Sequence, residues 1–361
     1  MQCTQTTWLS DVEYLRQFNE KVVQGRIPLF GSIDLTYQCN LRCVHCYLGD
    51  KGGMKGRPGE ELSTAQWTDL IDEITEAGCL YLLITGGEPL VRKDFPLIYR
   101  HARESGLLVT VFTNGTLITD RLLDLFDELP PHVVDITVYG ATSSTYEKIT
   151  GVRGSYEKCL KGIQRLLDHE VNVTLKTVIM TLNQHEVFDI EDMATSYGVR
   201  FRSDPAVFPC LDGDKTPLGF RLTPQEAVAV ELSDAERLRQ WRDVFEKFRD
   251  VPMTDDLYQC GAGRSMFHVD PYGSLRPCVM VGGPKYDLLS GSFLVGWDDV
   301  ISTIGGKKAG ADAHCRQCDK KVLCGYCPGF FELESGSENV HSPFLCAIGH
   351  YRFQAIQDVD L

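Results

Sequence analysis

Between residues 30 and 205, apolar runs alternate with amphipathic stretches, and that alternation leaves few folds open. Strand-like runs are predicted at 29–36, 80–85, 107–113, 133–139, 171–180 and 199–202. Helical stretches fall between them at 64–77, 94–104, 120–128, 155–168 and 186–196. Apolar strands separated by helices make βαβ units, whose strands run parallel. Six such units are fewer than the eight of a closed barrel. The periodicity alone fits an open doubly wound sheet equally well. In either fold, ligands gather at the C-terminal ends of the strands.

Three loops at those ends carry chemistry. After the first strand comes Cys39-Asn-Leu-Arg-Cys43-Val-His-Cys46-Tyr47, a C-x3-C-x2-C spacing followed by an aromatic residue. Three thiolates on one loop can hold three irons of a [4Fe–4S] cluster. With no fourth cysteine in the loop, one iron stays open to a substrate or cofactor. The alternatives are a disulfide pair or a zinc loop with His45 as the fourth ligand. After the second strand comes Gly86-Gly87-Glu88-Pro89. Its glycines permit close backbone approach, and Glu88 offers an acceptor for an ammonium group. After the third comes Thr113-Asn114-Gly115-Thr116.

The cysteine triplet followed one strand later by Gly-Gly-Glu-Pro resembles the radical S-adenosylmethionine (SAM) superfamily. That resemblance implies a partial (β/α)6 barrel. It implies that Cys39, Cys43 and Cys46 hold a cluster whose open iron is chelated by SAM. Reductive cleavage of SAM then yields a 5′-deoxyadenosyl radical that takes hydrogen from a substrate. By the same resemblance, Gly86, Gly87, Glu88 and Pro89 bind the SAM amino group, and Tyr47 lies at the adenine. Thr137 and Asn114 fall near the ribose or carboxylate, although strand-end hydrogen bonding explains both as well. The arginine that relatives place at the SAM carboxylate is missing beside Ile149 and Thr150, with Arg153 as its replacement. Lys176, mid-strand, points inward to SAM or substrate, or outward as a snorkelling lysine. Arg202 and Asp204 are expected at the cavity mouth, on the substrate side or in an ordinary ion pair.

The C-terminal third carries a second pattern: Cys260-x12-Gly273-x4-Cys278, then Cys315-x2-Cys318-x5-Cys324-x2-Cys327, then Cys346. It resembles the SPASM extension of radical SAM enzymes, which holds two auxiliary [4Fe–4S] clusters. The last gap of the second block is one residue shorter than the family's. A zinc ribbon is the alternative for Cys315–Cys327. By the resemblance, Cys260, Cys278 and Cys327 hold the first auxiliary cluster, and Cys315, Cys318, Cys324 and Cys346 the second. An eighth ligand is missing. Cys210 is a candidate for it, as it is for a hydrogen-atom donor or a packed thiol. Cys3, Cys79 and Cys159 stand alone and are expected to be buried hydrophobes.

The expected organisation is an N-terminal extension over 1–29, the barrel over 30–205, a linker and helix over 206–257 and a cluster domain over 258–361. A net charge of −14 argues against nucleic acid and anionic membrane as partners. The N-terminus lacks a signal-peptide pattern, and no apolar run reaches membrane-spanning length. With 14 cysteines, a reducing cytoplasm is the expected compartment. The resemblance implies a maturase that crosslinks, epimerises or oxidises a ribosomal peptide, fed by a donor such as flavodoxin or ferredoxin. Some 30 residues before the first strand are too few for a leader-binding domain, so either a separate leader-binding protein is expected or the substrate has no leader. The alternative is radical oxidation, decarboxylation or rearrangement of a small molecule. A non-catalytic electron carrier is the third reading, and the Gly-Gly-Glu-Pro run counts against it.

Overall fold

The computed structural model describes residues 10–49, 60–233, 235–249, 254–311 and 313–358. Six strands run parallel in chain order: β1 Phe30–Asp34, β2 Tyr81–Thr85, β3 Leu108–Thr113, β4 Val133–Thr137, β5 Val173–Val178 and β6 Arg200–Asp204. β7 Met266–Val269 then pairs in parallel with the free edge of β1. β8 Ser274–Arg276 and β9 Tyr286–Asp287 extend that edge as an antiparallel meander. Among the described residues this makes one nine-stranded sheet, ordered β6-β5-β4-β3-β2-β1-β7-β8-β9. The partial (β/α)6 barrel is therefore present, with the cysteine-rich region following it.

Period-two alternation divides each strand between two environments. Ile33, Ile84, Val109, Val111, Val134, Ile136 and Leu175 are fully or almost fully buried in the main core. There they join Trp67 and Ile71 of helix Thr64–Glu76, Tyr99 of Phe95–Glu104 and Ile163 of Ser155–Asp168. The intervening residues Ser32, Asp34, Thr85, Thr137 and Lys176 line a cavity instead. A closed eight-stranded barrel fills its interior with branched apolar side chains. This polar inner face belongs to a barrel built around a ligand.

The main core does not stop at residue 258. Phe267 on β7 packs edge-on to Phe293 at 4.8 Å, and both belong to that core. Trp297, on helix Phe293–Gly305, donates from Nε1 to the Arg26 carbonyl at 2.6 Å. Cys79 and Cys159 are buried in the same core, as expected, while Cys3 lies outside the described residues. A second apolar cluster joins Phe330, Phe331, Phe344 and Ile348 of the C-terminal helices to Leu222 and Val228. Among the described residues no helix is long and apolar enough to cross a membrane.

Before β6, two helices lie outside the sequence expectation, Asp11–Gln24 and Ser143–Thr150. The second, SSTYEKIT, is short and rich in β-branched and hydroxyl residues, so its own propensity is poor. It is held from outside. Glu186 accepts from the amides of Ala141 (2.7 Å) and Thr142 (3.1 Å) and from the hydroxyls of Thr142 (2.8 Å) and Thr145 (2.5 Å). Burial pushes the Glu186 carboxyl up, but these donors outweigh it and hold the pKa below the ordinary value. The helix's far end then grips the cysteine loop through Arg42 N to Thr150 O (2.8 Å) and Val44 N to Ile149 O (3.0 Å). Glu186→Ala is expected to lower stability by about 2–3 kcal/mol in urea unfolding at neutral pH, because it strands these donors. A depressed carboxyl stabilises above its unfolded pKa and loses that contribution as pH falls through its folded pKa. The gap between wild type and variant should therefore narrow toward acid pH.

Candidate active site

The cysteine loop is fastened at its entrance by the Gly-Gly-Glu-Pro turn. Gly87 N donates to Thr36 O at 2.8 Å and Glu88 N to Gln38 O at 2.9 Å. A Cβ at Gly86, whose φ is +130°, would sit 2.3 Å from Thr36 O, and one at Gly87 would sit 2.4 Å from Gln38 O. Both glycines are therefore required by backbone against backbone, besides any ligand they meet.

Glu88 is placed otherwise than its type suggests. Its carboxylate is fully buried and does not line the cavity. It accepts from Thr113 Oγ1 (2.8 Å), Asn114 N (2.7 Å) and Leu90 N (3.1 Å), binding the end of β2 to the end of β3. Burial pushes its pKa up to about 7 against those bonds. Glu88 is therefore engaged in joining the two strand ends, in addition to the acceptor role expected of it toward an ammonium group. Pro89 is likewise buried, opening the 3-10 turn Pro89–Val91. The Asn114 side chain is committed too: Nδ2 donates to Asn40 Oδ1 at 2.8 Å, and Oδ1 accepts from Thr116 N at 3.0 Å. It ties the β3 turn to the cysteine loop while still bordering the cavity.

Cys39, Cys43 and Cys46 are half-buried at the rim of a cavity of about 600 Å³. Tyr47, Gly86, Gly87 and Thr137 share that cavity. A tetrahedral zinc, with Zn–S of about 2.3 Å, draws its ligand atoms within about 4 Å of one another. Among the described residues, the one group of three Cys, His or carboxylate ligand atoms within 4.8 Å is His314, His341 and Cys346. Neither the triplet nor Cys315–Cys327 is such a group, so neither set is drawn together as around a single ion. Thiolates around a four-iron cluster stand further apart, so the donor set fits that group.

The segment after β6 lies on the back of the loop. Cys210 Sγ donates to Cys46 O at 3.4 Å, and Leu211 N to Tyr47 O at 2.9 Å. Burial, with Asp212 and Asp214 adding to it, pushes the Cys210 thiol up to about 11. It is a packed thiol against the first loop, which removes it as the eighth auxiliary ligand. Tyr47, Phe208 and Phe330 form an aromatic chain at 5.9 and 6.0 Å that joins this loop to the C-terminal helix Pro328–Ser335.

Deeper in the barrel, Thr137, Lys176 and Arg202 share one register row and border the cavity. Lys176 points inward, its Nζ 2.9 Å from the Phe112 ring centroid. Burial lowers its pKa to about 7, with Asp135 opposing and Arg202 adding to the fall. Arg202 pairs with buried Asp135, and Asp204 borders the cavity. Arg153 is corrected: it is exposed in the turn after Ser143–Thr150 and does not line the cavity. Gly151 abuts Arg42 O, so that turn packs on the outside of the cysteine loop. Sequence reasoning missed His45, Asp34 and His268, all on the cavity wall. His45 stacks edge-on to Tyr139 at 4.8 Å. Alternation along β1 was the available signal for Asp34; nothing local marks His268.

The remaining thiols form two groups. Cys260 and Cys278 lie close enough to Cys327 to disfavour its ionisation, and burial with that crowding pushes Cys327 up to about 11. Cys315, Cys318, Cys324 and Cys346 line a second, small cavity, where burial and neighbouring thiols push Cys324 up to about 12. Thiols held this way gain most when a cation takes up the charge of their thiolates. Gly87→Ala should open the first loop, with loss of about four irons per chain by metal analysis and about a tenfold or greater fall in SAM cleavage.

Residues 33–195 match the radical SAM superfamily. Among relatives, the antilisterial bacteriocin subtilosin biosynthesis protein AlbA of Bacillus subtilis is 27% identical over 89% of this chain and 71% of its own length. Mycofactocin maturase MftC of Mycobacterium tuberculosis is 32% identical over 70% of this chain and 64% of its own. Fe-coproporphyrin III synthase of Methanosarcina barkeri is 32% identical over 51% and 41%. In fold the chain resembles Streptococcus suis SuiB bound to precursor peptide SuiA, with a TM-score of 0.71 and 15% identity over 96% of this chain and 84% of that one. Taken with the cysteine loop and the cavity it borders, these matches identify residues 33–195 as a radical SAM domain, followed by a cysteine-rich C-terminal region.

Proposed function

We propose that this protein is a radical SAM maturase of a ribosomally made peptide. The carrying observation is a three-thiol loop beside a cavity of about 600 Å³ lined by both polar and apolar side chains, in a chain similar to AlbA over 89% of its length. Cys39, Cys43 and Cys46 are assigned the SAM-binding [4Fe–4S] cluster. Bound there, cluster and SAM supply a hydrogen-abstracting radical, chemistry that belongs to the cofactors.

The chain supplies position and seclusion. Gly86 and Gly87 offer backbone at the strand ends, and Tyr47 walls the cavity. Thr137 and Lys176 are assigned to SAM, Lys176 taking the place expected of an arginine at the carboxylate. Glu88 and Asn114 act by holding loops together. The auxiliary clusters are assigned to Cys260, Cys278 and Cys327, and to Cys315, Cys318, Cys324 and Cys346. We read 30–205 as the barrel, 206–257 as a connector and 258–361 as the cluster-bearing region. Such reduced thiols suit the cytoplasm. An external flavodoxin- or ferredoxin-type donor and a separate leader-binding protein complete the system. Similarity to Fe-coproporphyrin III synthase over half of the chain favours the second reading, a small-molecule substrate.

The deciding measurement is 5′-deoxyadenosine formation by the anaerobically reconstituted, reduced protein, with and without short peptides encoded beside its gene. Formation that rises with a peptide, with a mass change in that peptide, is the expected result. Formation indifferent to peptides but raised by iron-coproporphyrin would select the second reading. Wild type should carry about 12 irons. Joint replacement of Cys39, Cys43 and Cys46 by alanine should leave about eight and abolish SAM cleavage; retained cleavage refutes the cluster assignment.

A further inference from the structure

Apart from the residues assigned above, one group on the cavity wall is built as a site. Asp34 ends β1, is fully buried, and borders the cavity. Neither of its carboxylate oxygens is hydrogen-bonded to any described residue. His268 on β7, also buried, brings Nε2 to 3.4 Å from Asp34 Oδ2, near enough for charge but beyond a good hydrogen bond. Its Nδ1 lies 2.8 Å from Ser32 Oγ. The β1–β7 register sets Ser32 opposite His268, and Asp34 is two residues on from Ser32, on the same inward face. With Ser32 donating to Nδ1, the imidazole proton sits on Nε2 and faces the carboxylate.

This trio is out of keeping with a structural role. A buried carboxylate is normally met by hydrogen-bond donors, because its desolvation is otherwise uncompensated. Asp135, on the far side of the barrel, shows the ordinary solution in its pair with Arg202. Glu88 and Glu186 show another, with three and four donors each. Asp34 has the burial without the donors, and it stands in the wall of the cavity. The sheet order puts the β1–β7 wall at one end of the parallel run and the Lys176–Arg202 wall of β5–β6 at the other. With Thr137 and Lys176 assigned to SAM, the β1–β7 wall is left for whatever else enters.

We propose that Asp34 is a substrate-binding residue, accepting a hydrogen bond from an N–H or O–H of the peptide, with His268 as the positioning residue that holds the carboxylate toward the cavity. The inference rests on the peptide reading above. Ser32 fixes the orientation of His268. Asp34 selects for a donor-bearing side chain or backbone amide at the modified segment, and it disfavours an acidic one by like charge.

The test uses the reconstituted holoenzyme and a peptide encoded beside the gene, reading 5′-deoxyadenosine against peptide concentration. Asp34→Ala is expected to raise the half-saturating peptide concentration about tenfold or more, with a smaller fall in the maximal rate. Asp34→Asn, which keeps the shape and one acceptor, should fall between. His268→Gln should raise half-saturation less and add nothing in the Asp34→Ala background, since it acts through Asp34. Unchanged half-saturation in both Asp34 variants overturns the proposal and leaves the peptide reading standing. So does a loss of bound iron or of SAM affinity in step with the peptide response, which marks a folding role. A wild type that answers to no peptide overturns the peptide reading and this inference with it.

Discussion

Two backbone hydrogen bonds, Gly87 N to Thr36 O and Glu88 N to Gln38 O, organise the rest of the site. They run between two strand-end turns so close that neither glycine has room for a Cβ. The chain entering the cysteine loop is thereby fixed to the end of β2. Glu88, emerging from the same turn, fixes β2 to the end of β3. From the other side Ser143–Thr150 grips Arg42 and Val44, and Cys210 and Leu211 close over Cys46 and Tyr47. The loop has little secondary structure of its own. Its shape is imposed by neighbours that bond mostly to its main chain, while its three cysteines border the cavity.

The barrel serves two masters through strict alternation. Its outer face is an ordinary apolar core under helices. Its inner face is polar and carries charges of both signs, Asp34 and Asp135 against Lys176 and Arg202. Burial makes such charges costly, and each is compensated differently: an ion pair for Asp135, an aromatic face for Lys176, a histidine at a distance for Asp34. The least compensated group is the best placed to recognise something.

The C-terminal region is an extension of the barrel as much as an appendage. β7 completes the edge of β1, and its Phe267 enters the main core. Its His268 reaches the cavity. The thiol groups beyond it are linked through Phe330 to Phe208 and Tyr47, so an aromatic chain joins the first cysteine loop to the cysteine-rich region.

Much of this was legible in the sequence. Hydrophobic periodicity revealed six of the seven parallel strands and five helices, because burial on one face writes itself into spacing. The cysteine spacings were legible because thiolate ligation tolerates few arrangements. Other features depended on contacts between residues far apart in sequence. Ser143–Thr150 is helical because Glu186, dozens of residues later, caps it. Glu88 looked like a ligand group because its type suits an ammonium, and the ends of β2 and β3 engage it as well. Arg153 looked like a substitute for a missing arginine, but the packing of Gly151 on Arg42 turns it to solvent. Cys210 could be a ligand, a donor or a packed thiol until the fold set it on Cys46. His268 carries no local mark at all. Residue type and spacing determined the fold class, the thiol sets and the family. Which polar groups face the cavity, and which are spent holding it together, was decided only by the parallel register and the close approach of loops distant in sequence.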